Sequence, residues 1–257
     1  MIILANSKLP DFGSIGFSGK LRPSQIAAVS VIEPQLDVQG KHLHIVAPPG
    51  SGKTVLGLYV WANLVRKPTL VLSPNSTIQA QWAARTDLFD LDGKEEYVST
   101  DPKKPGLLTS LTYQSITMPK RGGEELNEAA IELWIENLIS NEEAIDEENA
   151  LGWINDLKEK NQPYYEDRLS IYRKKVRDEF SKHGNALWTL SESAKTNLQK
   201  LKQIGIGMII LDECHHLLHH WGRVLTEVRD YFDDPIVLGL TATPVSYTHL
   251  TLPTRLM

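Results

Sequence analysis

The stretch HLHIVAPPGSGKTVLGLYVWANLV, residues 42–65, decides the fold. Its first six residues are an apolar, β-favouring run too short for a helix, and the Pro- and Gly-rich turn that follows opens a leucine- and valine-rich helical segment. Strand, glycine loop, helix is the context a phosphate-binding loop requires. Within APPGSGKT (47–54), Gly50 and Gly52 let the backbone of Pro49–Thr54 curl so that the N–H groups from Gly50 onward, that of Ser51 among them, are expected to point at phosphate oxygens, and the helix N-terminus adds a favourable dipole. Lys53 is expected to reach the β- and γ-phosphates and Thr54 to hold Mg²⁺. The pattern departs at its first position, where Ala47 replaces the usual glycine.

On either side the same rhythm continues. TLVLSP (69–74), GLLTSL (106–111), GMIILDE (207–213) and PIVLGLTAT (235–243) are apolar runs without strict alternation, as expected for strands covered on both faces, and helical segments separate the early ones. The expected fold is α/β, a parallel sheet flanked by helices. The run Met208–Leu211 delivers Asp212 and Glu213 to the carboxyl end of a strand, where open α/β sheets bind ligands. Two adjacent carboxylates can serve two roles there: Asp212 holding Mg²⁺ and Glu213 orienting or deprotonating a water that attacks the γ-phosphate. Alone, the pair reads equally as a helix cap with a first-turn acid; beside a phosphate loop it gains meaning.

Residues 119–203 break the rhythm, being charged and helix-favouring, and are expected to form a helical insertion. Ile131, Trp134, Ile135 and Leu138 make one helical stripe, Tyr165, Leu169, Tyr172, Val176 and Phe180 a second, and Leu187, Leu190, Ala194, Leu198 and Leu201 a third. Glu124–Glu159 is mostly acidic and Lys160–Lys202 mostly basic, so the expectation is a helical hairpin with complementary halves, or a basic helix that touches nucleic acid. Val245–Thr254 matches a reading frame of a transposon-derived sequencing adapter. Residues 245–257 are accordingly expected to be a read-through tail, leaving 1–244 as the domain.

These motifs, taken together and in order, resemble the first RecA-like domain of superfamily-two helicases of the DEAD/DEAH-box type, a P-loop NTPase fold. LRPSQ (21–25) resembles the adenine-recognition segment of the branch that includes restriction-enzyme motors and excision-repair helicases, which points to Arg22 and Gln25. DECH (212–215) resembles motif II, in which His215 couples the ATP site to the rest of the motor, and TAT (241–243) resembles motif III, in which Thr241 and Thr243 link hydrolysis to strand binding. LSPNSTIQAQW (72–82) and TSLTYQS (109–115) resemble the motifs whose loops bind the nucleic-acid backbone, implicating Ser73, Pro74, Asn75, Thr112, Tyr113 and Gln114. The physical reading of those hydroxyls and amides allows phosphate contact or plain helix capping, and Tyr113 could equally be core. The resemblance covers about 1–118 and 204–244, and implies ATP, Mg²⁺ and nucleic acid as ligands, with a lean towards DNA. It also implies a second RecA-like domain, outside these residues, that carries the arginine finger.

A net charge of −5 over 257 residues would usually argue against nucleic acid, but motors of this kind hold strands with backbone amides, hydroxyls and a few local cations. No long apolar window or basic-flanked leader is present, so no membrane span or secretory signal is expected, and the location follows as cytoplasmic. The lone Cys214 is expected to be structural. His215, His216, His219 and His220 lack the HExxH order and a cysteine pair, so they are not expected to hold zinc. Two rival functions share these residues: a duplex-DNA translocase of a restriction or phage-defence system that does not separate strands, and a nucleotide-dependent module whose insertion docks a protein partner.

Overall fold

A computed structural model describes residues 12, 15–38, 41–91, 93, 97–183, 186–214, 220–242 and 255–256. It divides into two compact units, residues 1–117 with 193–257 and residues 118–192.

In the first unit a short antiparallel ribbon joins β1 (Gly16–Phe17) to β4 (Phe89–Asp90). Helix α1 (Pro23–Asp37) begins where Pro23 fixes φ and the Gln25 side chain, three residues into the helix, accepts a hydrogen bond from the Arg22 amide at 2.7 Å. Strand β2 (His42–Val46) leads through the glycine loop into α2 (Lys53–Tyr59), which runs on as a π-helical turn, Val60–Val65. Then come β3 (Thr69–Ser73), α3 (Ser76–Ala84) capped by the Asn75 side chain, a 3₁₀ turn (Arg85–Leu88), β5 (Val98–Ser99), β6 (Leu108–Thr112) and α4 (Gln114–Thr117). After the second unit the chain returns through α8 (Glu192–Gln203), β7 (Met208–Asp212), α9 (His220–Tyr231), β8 (Ile236–Thr241) and the two-residue β9 (Arg255–Leu256).

Among the described residues, β5-β6-β3-β7-β8-β2-β9 is the order of one sheet, parallel throughout. Strands β3 and β7 are buried along their whole length, which is why their sequences are continuous apolar runs rather than alternating ones. Leu43, Leu58, Trp61, Trp82, Met208, Ile210 and Leu238 form the core between sheet and helices, each at most 1% exposed. The sheet's parallel sense places Val46, Ser73, Thr112, Asp212 and Thr241 at one edge, the carboxyl ends of their strands. This is a RecA-like α/β fold.

The second unit is α5 (Glu124–Ser140), α6 (Glu147–Lys160), α7 (Gln162–Lys182) and a 3₁₀ turn, Ala186–Thr189. Trp134 of α5 and Tyr165, Leu169, Tyr172 and Val176 of α7 close its core, with Trp134 stacked on Tyr172 at 5.4 Å and 14°. The expected hairpin is therefore a three-helix packing. Its cations meet carboxylates, amides and rings: Arg173 lies 3.4 Å from Glu166 Oε2 and donates to Asn127 Oδ1 at 2.8 Å, and the Arg168 guanidinium lies 5.7 Å from the Tyr172 ring centre. Phe180, at the end of the second expected stripe, is 37% exposed and stacks on Trp188 at 4.4 Å. The third expected stripe is not one helix. Leu187 and Leu190 belong to the second unit, where Leu190 bridges Pro119, whereas Ala194, Leu198 and Leu201 are buried on α8 in the first. The helical segment expected over 119–203 thus divides at residue 192, because α8 buries its apolar face with the sheet unit. Among the described residues no helix is long and apolar enough to cross a membrane.

Candidate functional site

At the carboxyl edge of the sheet lies a cleft of about 550 Å³. The glycine loop contributes Pro49, Gly50, Gly52, Lys53 and Thr54 to its wall, β7 contributes Asp212 and Glu213, and the start of α1 contributes Arg22 and Gln25. Gly50 and Gly52 adopt φ of +75° and +85°, the left-handed region that costs a side-chain-bearing residue about 1–2 kcal/mol. A Cβ on Gly52 would sit 2.5 Å from Gln25 Nε2, so this position needs glycine on two counts.

Arg22 and Gln25 brace the loop from outside. The Arg22 guanidinium donates to the Gly50 carbonyl at 2.7 Å and Gln25 Nε2 to the Gly52 carbonyl at 3.0 Å, while Gln25 itself is only 4% exposed. The loop is also folded on itself. Lys53 Nζ donates to the Ala47 carbonyl at 3.0 Å, and the Ser51 amide donates to the Pro48 carbonyl at 3.2 Å. Ser51 faces away from the cleft, its Oγ buried with no hydrogen-bond partner among the described residues.

Lys53 Nζ lies 3.8 Å from Glu213 Oε1, which brings the ammonium and the second carboxylate to one point. Asp212 is 5% exposed and held on both oxygens, Oδ2 by the Trp82 indole N–H at 2.6 Å and Oδ1 by the Glu213 amide at 2.9 Å. Burial raises its pKa above the ordinary carboxylate value, and the neighbouring Glu213 charge adds to the rise, against the Trp82 and Glu213 N–H donors and the Lys53 charge. Glu213 has φ of +48°, a backbone state that costs a residue with a side chain on the order of 1–3 kcal/mol and that clusters at functional sites. Two contacts hold it there. The Tyr113 hydroxyl donates to the Asp212 carbonyl at 2.9 Å, fixing the peptide that enters Glu213, and the Ala242 amide donates to Glu213 Oε2 at 3.4 Å. An oxygen donor set of Asp212 and Thr54 beside a lysine-bearing loop fits Mg²⁺, a hard cation that takes carboxylate and hydroxyl ligands.

The edge expected to meet nucleic acid is more mixed. Asn75 and Gln114 are exposed, Pro74 and Thr112 half-buried, and Thr112 Oγ1 lies 3.0 Å from Ser115 Oγ. Ser73 and Tyr113, expected beside them, are fully buried. Tyr113 instead crosses the end of β3, its amide bonded to the Ser73 carbonyl at 3.0 Å, and spends its hydroxyl on Asp212; both side chains are part of the interior rather than of the edge. Thr241 is likewise buried, and it is the next residue's amide that reaches Glu213. His215 and Thr243 lie outside the described residues, as do His216 and His219. Cys214 is buried, its Sγ 3.6 Å from His44 Nε2.

Sequence reasoning missed Trp82, Ala242 and Phe17. Trp82 carried one usable signal, since a buried indole N–H must find an acceptor, but the acceptor is 130 positions away. Phe17, an apolar wall of the cleft packed on Phe89 with ring centres 5.0 Å apart, comes from the two-residue ribbon, too short to leave a periodic trace. Ala242 acts through its amide, which no side chain announces.

No curated protein matches the chain. The family model described as type III restriction enzyme, res subunit, matches residues 18–246, which takes in the glycine loop, both carboxylates and the 118–192 unit. The chain therefore belongs to the family of type III restriction enzyme res subunits, and its sheet unit is a helicase-like motor domain.

Proposed function

We propose that the chain binds ATP with Mg²⁺ in the cleft and couples hydrolysis to the binding of nucleic acid, DNA in the first instance. The observation that carries this reading is the meeting of Lys53, Thr54, Asp212 and Glu213 in one cleft at the carboxyl edge of the sheet. Thr54 and Asp212 would hold Mg²⁺, which supplies charge neutralisation at the β- and γ-phosphates. Lys53 leaves the Ala47 carbonyl to pair with those phosphates, and the curled loop turns its amides to them. Glu213 orients a water and takes its proton as the oxygen bonds to the γ-phosphorus and the bond to the bridging oxygen breaks, leaving ADP and phosphate. Phe17 offers an apolar face to the base.

Asn75 and Gln114, exposed beside one another's strands, are the side chains best placed for phosphate contacts from a strand. The family match, to a restriction-enzyme subunit, supports carrying the second motor reading, a duplex-DNA translocase of a restriction system, beside strand separation. A protein partner docked on residues 118–192 remains compatible with either.

The test is Mg²⁺-dependent ATP binding by the chain, and hydrolysis by the chain joined to the second RecA-like domain that the resemblance implies, with no nucleic acid, single-stranded DNA, duplex DNA or RNA, alongside Lys53→Ala and Glu213→Gln. Duplex DNA is expected to stimulate most, Lys53→Ala to abolish binding, and Glu213→Gln to bind without turning over. Binding that survives Lys53→Ala, or hydrolysis that survives Glu213→Gln, would refute the assignment.

A further inference from the structure

Asp212 and Glu213 are not positioned by β7 alone. Two fully buried aromatic side chains, from two other elements, each spend their one polar atom on this pair. Trp82 lies on α3, the helix that Asn75 caps at the nucleic-acid edge, and its N–H ends on the Asp212 carboxylate. Tyr113 follows β6 directly and precedes Gln114 at the same edge; its hydroxyl ends on the Asp212 carbonyl, one atom of the peptide that sets the Glu213 backbone.

The two arms act on different atoms. An indole N–H on Oδ2 fixes the carboxylate's rotamer, and with it the direction its oxygens present to a cation. A phenol on the carbonyl fixes the peptide plane, and with it the left-handed turn that aims the Glu213 side chain at Lys53. Both rings are rigid and packed, so a displacement of either loop arrives at the carboxylates with little loss. Gln79 of α3 ties the two arms together, donating to the Ser110 carbonyl of β6 at 2.9 Å while Ser110 Oγ donates back to the Gln79 carbonyl at 2.9 Å.

We propose that Trp82 and Tyr113 are positioning residues for the Asp212–Glu213 pair, a two-armed clamp through which strand contact at the loops after β3 and β6 sets the metal-holding carboxylate and the base. The inference rests on the ATP-motor reading and adds to it a route from strand to site that runs through neither Thr241 nor Thr243.

The experiment uses the full chain, a fluorescent methylanthraniloyl derivative of ATP, Mg²⁺ titrations, and DNA oligonucleotides, with Trp82→Phe and Tyr113→Phe as variants that keep an aromatic ring and remove the donor. Trp82→Phe is expected to raise the Mg²⁺ needed for half-maximal nucleotide binding by about tenfold, the worth of one hydrogen bond to a charged group, and to leave binding without Mg²⁺ unchanged. A merely structural role would weaken binding with and without Mg²⁺ alike. Tyr113→Phe is expected to cut the change in nucleotide affinity that DNA induces by about fivefold, the worth of a neutral hydrogen bond. A wild-type Mg²⁺ requirement in Trp82→Phe, an equal loss of binding with and without Mg²⁺, or a full DNA response in Tyr113→Phe, overturns the clamp. Should Trp82→Phe fail to fold, Tyr113→Phe decides alone. A wild-type chain whose nucleotide binding ignores Lys53→Ala, or responds to no nucleic acid, removes the motor reading and the clamp with it.

Discussion

Replacing Gly52 and Gly50 separately by alanine separates two effects that a glycine-loop motif runs together. At Gly50, φ is +75° and an added Cβ meets nothing within 4 Å, so the cost is conformational alone, about 1–2 kcal/mol. At Gly52, φ is +85° and the same penalty applies, but the Cβ would also lie 2.5 Å from Gln25 Nε2. Gln25 must then swing away, losing its 3.0 Å bond to the Gly52 carbonyl, and its amide, 4% exposed, is left partly unpaired. A lost bond that strands a buried polar group costs about 1–3 kcal/mol. Gly52→Ala should thus be about 2 kcal/mol less stable than Gly50→Ala, a gap of roughly 4–8 °C in melting temperature for a chain of this size. Gln25→Ala in the Gly52→Ala background should restore part of the gap by removing the clash. Thermal unfolding of the three variants measures it, with nucleotide-induced stabilisation as a second readout that both glycine variants should lose. Equal melting temperatures for the two glycine variants would refute the reasoning, since only the Gln25 contact distinguishes them.

The ionisation of Asp212 makes a prediction with a definite sign. Its pKa is raised in the folded chain, chiefly by burial, so the folded state holds this proton to higher pH than the unfolded state, whose value is about 3.9. Stability from this group is therefore greatest in acid and falls as pH rises from about 4 through the raised value. Asp212→Asn cannot titrate, so its melting temperature minus that of the wild type, measured in chelator, should rise as pH increases above about 4; a flat difference would contradict the burial argument. In the second unit, Trp134 is 1% exposed with an indole N–H that finds no partner among the described residues. Trp134→Phe should therefore cost little, whereas Trp134→Ala should cost about 3–5 kcal/mol and open residues 118–192 to proteolysis. Because the sheet unit has a separate core, Mg²⁺-dependent nucleotide binding should persist in Trp134→Ala, and its loss would show that the units depend on each other.

The legible parts of this protein are those in which neighbours in sequence are neighbours in space. The strand–loop–helix of residues 42–65 is read directly because its features are local: two glycines, at positive φ in the structure, a lysine and a hydroxyl within five residues. Strands β3, β7 and β8 were readable as buried for the same reason, an apolar run being a local property. Reading failed where a helical period was carried across a boundary. Leu187, Leu190, Ala194, Leu198 and Leu201 keep a plausible spacing through Ser191, yet the chain leaves one core and enters another there, and nothing in the spacing marks the change. At Tyr113 the sequence left two readings open, strand contact or core, and the structure places the side chain in the interior.

The sequence by itself determined the parallel sheet, the glycine loop and the pair Asp212–Glu213, since period, glycine and adjacent carboxylates are features of single segments. Only the tertiary structure decided what those groups touch. Lys53 meets Glu213 across 160 positions, Trp82 meets Asp212 across 130, and Tyr113 reaches the same residue across 99, separations fixed by strand order rather than by composition. A parallel sheet gathers the carboxyl ends of distant strands at one edge, and which ends become neighbours depends on the order in which the strands pair, which no single segment encodes.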